Sequence, residues 1–183
     1  EEVRSTAGPE LAEVIRTVVR SGRESGEPAS LTIDYPHDQT IFPPEIVPPT
    51  FLWHEPTEPA DTWLIEVALG NPSEPIYVLS PGNPPAAGPI DAECICENNE
   101  VYQPTPYQAS ARSWTPSDDV WAAIKQGSVE GAAEVSVLGF RSSEPAKILS
   151  RGRISITTSE DPVGAPIFYR DVPLAPALTQ KGV

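Results

Sequence analysis

The sequence contains no methionine, only two cysteines and only two histidines in 183 residues. Two thiols cannot build a disulfide framework, and Cys94-Ile95-Cys96 lacks the C-x-x-C spacing of redox and zinc motifs. His37 and His54 are the only imidazoles available for acid–base work, and no G-x-S-x-G string announces a nucleophile. Basic residues are also scarce: twelve stand against twenty-six acidic ones, for a net charge of −14. That charge repels nucleic acid and anionic lipid, and favours basic surfaces or divalent cations as partners. No apolar run approaches the ~18 residues that span a bilayer, so no transmembrane segment is expected. The one glycosylation-like string, Asn71-Pro72-Ser73, is disabled by its central proline.

Proline, by contrast, is abundant. Its 23 copies are more than twice the roughly 5% of average composition, and they fall between short β-type runs, where a fixed φ and a missing donor do no harm. Leu31, Ile33 and Tyr35 alternate with polar neighbours, and Trp63, Ile65, Val67 and Leu69 repeat the period of two. Thr50 to Trp53, Ile76 to Leu79, Glu134 to Phe140 and Arg153 to Thr158 are further strand candidates, bounded by Gly, Pro, Ser or Asp. About seven strands in one stretch predict an all-β immunoglobulin-like or fibronectin type III-like sandwich. Helices do not alternate with these strands, which disfavours a parallel α/β fold.

Two helices are expected. Pro9 to Ser21 places Leu11, Val14, Ile15 and Val18 on one apolar stripe, with Gly8-Pro9 to start it and Gly22 to stop it. Gly22 to Ala29 then reads as a flexible link. Between late strands, Thr115-Pro116-Ser117-Asp118 offers a cap and a first-turn proline to a short helix ending near Lys125 and Gly127, with Trp121 and Ile124 facing the core. The resulting organisation is a helix and linker over 1–29, a sandwich over 30–160 and an extended proline-rich tail over 161–183. The chain opens at Glu1, so it is expected to be a processed product or a fragment, and the lack of a leader gives no argument for the cytoplasm.

The chemistry candidates each have an ordinary alternative. His37 lies in a turn-like Pro36-His37-Asp38-Gln39, and His54 lies at a strand end; neither needs a function. Cys94 and Cys96 admit a strained disulfide across one residue or two free thiols, and both readings stand. Asp91, Glu93, Glu97, Asn98, Asn99 and Glu100 crowd oxygen donors that suit calcium, yet they lack the EF-hand spacing and glycine, so a solvated acidic loop is the simpler account. Tyr102 and Tyr107, in the long segment from Pro81 to Arg112, are the aromatics expected at the surface, where they would serve a carbohydrate-binding module. Trp53, Trp63 and Trp121 are expected in the core. Ile167, Phe168 and Tyr169 interrupt the proline-rich tail with an apolar trio suited to docking on a partner or a following domain by strand addition.

The segment Ser159-Glu160-Asp161-Pro162-Val163-Gly164-Ala165-Pro166-Ile167-Phe168-Tyr169-Arg170-Asp171-Val172-Pro173-Leu174 is the most distinctive string in the chain. It resembles a stretch of bacterial secreted proteins that join an N-terminal immunoglobulin-like region to a TolB-like β-propeller with a c-type haem motif. Tyr35 to Trp53, around Ile41-Phe42-Pro43-Pro44-Glu45-Ile46, and Trp114-Thr115-Pro116-Ser117 through Ile124-Lys125 are similar too, so the resemblance covers most of residues 31–174. It implies a periplasmic, cell-surface or extracellular location and a haem bound downstream at C-x-x-C-H. This chain has no such motif, so no haem ligand carries over and no cofactor is expected within it. The combined expectation is a non-catalytic interaction or assembly module. Leu11, Val14, Ile15 and Val18 on the helix, and Ile167, Phe168 and Tyr169 in the tail, would meet a protein partner or a downstream domain.

Overall fold

A computed structural model describes residues 2–3, 8–24, 26–55, 60–70, 74–85 and 104–164. Ten strands and three helices lie among them: β1 (Glu2–Val3), α1 (Pro9–Glu24), β2 (Ala29–Ser30), β3 (Thr32–Tyr35), β4 (Thr40–Phe42), β5 (Phe51–His54), β6 (Thr62–Ala68), β7 (Ile76–Ser80), α2 (Pro106–Ser110), β8 (Arg112–Trp114), α3 (Asp118–Gly127), β9 (Ala133–Arg141) and β10 (Glu144–Thr158). They form two sheets in a sandwich-like arrangement. The larger runs β1-β7-β6-β9-β10-β2, with β4 also on β10, and the smaller runs β3-β5-β8.

The alternation in β6 and β9 explains why the large sheet is covered on both faces. Trp63, Ile65 and Val67, with Val135 and Val137, point into the space shared with Phe51, Trp53 and Trp114 of the small sheet and with Val120, Trp121 and Ile124 of α3. Leu64, Leu138 and Phe140 point the other way and are covered by Ile15 and Val18 of α1. Trp53, Trp63 and Trp121 are fully buried, as their patterning predicts, and Ile124 faces the core with them. Each such side chain withdraws enough apolar area to stabilise the fold by about 2–3 kcal/mol relative to exposure.

Several boundaries differ from the sequence expectation. Gly22 does not end α1, which continues to Glu24. The helix presses so closely on the sheet here that a Cβ on Gly22 would stand 2.8 Å from Leu138 Cδ2, and the Arg151 guanidinium donates to the Gly22 carbonyl. This glycine permits close packing instead of a turn. The expected linker to Ala29 is correspondingly shorter, and it ends in β2, which pairs in parallel with Ser150 and Arg151. In α3 the cap is Ser117, whose Oγ accepts from the Val120 amide, and not Thr115. β10 starts at Glu144, nine residues before the Arg153 at which the sequence pattern opens it, and takes β9 on one side and β2 and β4 on the other.

Loops are tied down by short acidic and indole contacts. The Asp38 carboxylate accepts from the Ser155 amide at 2.7 Å, and Asp61 accepts from the Ser142 amide in the β9–β10 turn at 2.7 Å. Both bonds favour the ionised form and hold these carboxyls below the ordinary range. The Trp121 indole donates to the Ile46 carbonyl at 3.0 Å and meets Phe42 edge-on, fastening the loop after β4 to α3. No helix among the described residues is long and apolar enough to cross a membrane.

Candidate functional site

The residues with the strongest chemical convergence lie on the small sheet. In the β3–β5 pairing Thr32 faces His54 and Ile33 faces Trp53, so with Trp53 turned into the core His54 turns to the opposite face. On the other side of β5, Trp53 pairs with Arg112 at the start of β8. The chain immediately before Arg112 is α2, and the register therefore delivers its last residue, Ser110, beside His54.

α2 is nucleated by its own sequence. Thr105 accepts from the Gln108 amide, and the Gln108 side chain accepts from the Thr105 amide, a reciprocal capping box followed by Pro106 in the first turn. The helix is short, and it lays Tyr107 flat on His54, with ring centroids 3.8 Å apart and 17° between planes. This covers the imidazole, whose side chain is only 8% exposed.

Both ring nitrogens are engaged. His54 Nε2 lies 3.0 Å from Asp34 Oδ2, and Nδ1 lies 3.0 Å from Ser110 Oγ. The Tyr107 phenol donates to Asp34 Oδ2 at 2.8 Å, which holds the proton on the phenol and pushes its pKa up. The Ser110 hydroxyl donates to the Tyr107 carbonyl at 2.7 Å. Asp34, His54, Tyr107 and Ser110 thus form one connected cluster whose two outer residues, Tyr107 and Ser110, are exposed. Its chemical capacity is that of an imidazole held between a carboxylate and a hydroxyl.

A second polar group is enclosed between the sheets. Glu55 Oε1 accepts from the Trp63 indole at 2.6 Å and from the Ser150 hydroxyl at 2.8 Å. Gly139 makes room for it, since a Cβ there would lie 2.7 Å from Glu55 Oε1 and 2.3 Å from Ser150 Oγ. Glu55 Oε2 and Trp53 Nε1 are buried without a hydrogen-bond partner among the described residues.

The helix stripe foreseen for a partner is placed against the chain's own sheet. Ile15 and Val18 are buried there, and Leu11 and Val14 pack half-buried beside them. Ile167, Phe168 and Tyr169, Cys94 and Cys96, the acidic run from Asp91 to Glu100 and Tyr102 lie outside the described residues. His37 is exposed in its turn, its carbonyl accepting from the Thr40 amide and hydroxyl. Tyr107 is exposed as expected, at 55%, although it lies in a helix instead of a loop. No local sequence pattern points to Asp34 or Ser110. The signal available was the Thr105-to-Gln108 capping pattern, which marks α2 but not what it touches. Among the described residues, no group of three or more His, Cys, Asp or Glu side chains is arranged to hold a metal ion. Comparison of the chain with protein-family models, with curated proteins and with solved structures finds no match to any of them.

Proposed function

We propose that this chain is an interaction and assembly module: an immunoglobulin-like or fibronectin type III-like sandwich of an extracytoplasmic protein, docking a protein partner or a following domain. The observation that carries this reading is the edge formed by β4. Among the described residues β4 pairs with β10 alone, so its outer edge is open. Ile41 on that strand is 68% exposed, and Val47 in the loop after it is 60% exposed. A short open strand beside bare apolar side chains suits strand addition.

The start of the tail supports the same edge. The Val163 amide donates to Glu45 Oε1 at 3.2 Å, which brings the chain past the β4 loop just before the sequence reaches Ile167, Phe168 and Tyr169. The resemblance to haem-propeller proteins makes an electron-transfer domain or partner the proposed occupant. The test is the mass of the natural assembly by light scattering for a variant carrying Ile41→Lys, Phe168→Ser and Tyr169→Ser. Loss of complex mass with unchanged unfolding is expected; an unchanged complex mass would overturn the reading.

A second reading, carbohydrate binding, rests on Tyr107. Its ring is fixed by the His54 stack and the Asp34 bond while remaining 55% exposed, a pre-oriented platform for a sugar ring. A glycan array giving signal with wild type and none with Tyr107→Ala is the expected result of that reading, and silence with wild type removes it.

A further inference from the structure

We infer that Ser110 is an activated nucleophile toward small acyl esters, with His54 as its base and Asp34 as the residue that positions the imidazole. This activity is independent of the docking edge and uses none of its residues.

Asp34 is an acceptor when ionised, so the imidazole nitrogen that faces it, Nε2, carries a proton. The neutral ring then presents the Nδ1 lone pair to Ser110 Oγ at 3.0 Å. A hydroxyl at that distance can pass its proton to the ring as its oxygen attacks, and the imidazolium so formed is stabilised by Asp34 on the far side. In this structure the Ser110 hydroxyl donates to the Tyr107 carbonyl at 2.7 Å, so a rotation about the Cβ–Oγ bond turns that single proton to Nδ1 before the oxygen attacks.

Exposure divides the cluster in the sense a nucleophilic site requires. The base is buried beneath the Tyr107 ring, whereas Ser110 is open to solvent at the end of α2. Oγ adds to the ester carbonyl carbon while its proton moves to Nδ1. The carbon–oxygen bond to the leaving group then breaks, and the departing alkoxide takes that proton. Water repeats the two steps on the acyl-serine, releasing the acid and restoring the hydroxyl.

The experiment uses a fluorophosphonate probe, with which Oγ forms a bond to phosphorus, fluoride leaves and the hydroxyl proton goes to His54. Intact mass and peptide mapping of the whole chain should find one adduct, on Ser110, and none in Ser110→Ala. Asp34→Asn preserves size, but its amide donates to Nε2 and forces the ring proton onto Nδ1, so labelling should slow ~100-fold. In wild type the rate should fall reversibly in acid, a readout that a purely structural cluster would not give. An adduct on Ser110 that depends on Asp34 and on pH supports the inference. Absence of an adduct on Ser110, an equal rate in Asp34→Asn, or a rate that does not fall in acid overturns it.

Discussion

The ring of Tyr107 lies flat on the imidazole of His54, 3.8 Å between centroids, and its phenol donates to the same carboxylate, Asp34, that faces the His54 Nε2. One aromatic residue therefore closes the site and competes for its charge. Because the Asp34 bond raises the Tyr107 pKa in the fold, its contribution to stability is fully present below the unfolded phenol's pKa, near pH 10, and is lost as pH rises through the folded value. Chemical denaturation across alkaline pH should show stability falling above about pH 10 in wild type, and a shallower fall in Tyr107→Phe.

Asp38 and Asp61 give the opposite sign. Amides of Ser155 and Ser142 donate to them and lower both pKa values. The stability they supply is complete above the unfolded carboxyl pKa and is lost as pH drops through the folded values, from about pH 4 downward. Asp38→Asn with Asp61→Asn should flatten the acid limb of a denaturation midpoint plotted against pH; an unaltered limb would place the acid sensitivity elsewhere.

Val18 has no exposed surface and stands between α1 and the outer face of the large sheet. Val18→Asp puts an unpaired carboxylate against Leu138 and Phe140, and a loss of about 3–5 kcal/mol is expected. Binding of a hydrophobic dye should rise as α1 lifts from the sheet. A variant that unfolds at the wild-type denaturant midpoint would contradict the packing described for this helix.

Gly139→Ala brings a methyl within contact of Ser150 Oγ and Glu55 Oε1. The carboxylate must move, breaking its bond with the Trp63 indole. A loss of about 1–3 kcal/mol is expected, with a shift in tryptophan emission that Ser150→Ala produces more weakly.

Some of this architecture is legible in the sequence alone. Pro9 to Ser21 reads as a helix because four apolar residues repeat at helical spacing, β6 reads as a strand because Trp63, Ile65, Val67 and Leu69 keep a period of two, and Glu134 to Phe140 reads as one because turn-forming residues bound a short β-type run. Glu144 to Gly152 does not: Pro145, Ala146, Lys147 and Gly152 carry no period, and the segment is a strand because β9 pairs with it. Gly22 carries two opposite meanings in a sequence, stop or close contact, and only Leu138 decides between them. The site was less legible still. Asp34, His54 and Ser110 are unremarkable apart, and 56 residues separate the last two. What joins them is the register of β3, β5 and β8, a property of pairing that no local pattern carries.

The parallel places of β2 and β4 on β10 have a consequence for how the chain is made. Arg151 reaches the carbonyl of Gly22, 129 residues earlier, and Ser155 reaches Asp38, 117 residues earlier. On a ribosome, β2 and β4 emerge with their partner strand still unsynthesised, and they must wait for β10 before they can join the sheet. The large sheet closes only when β10 arrives to receive strands released long before it.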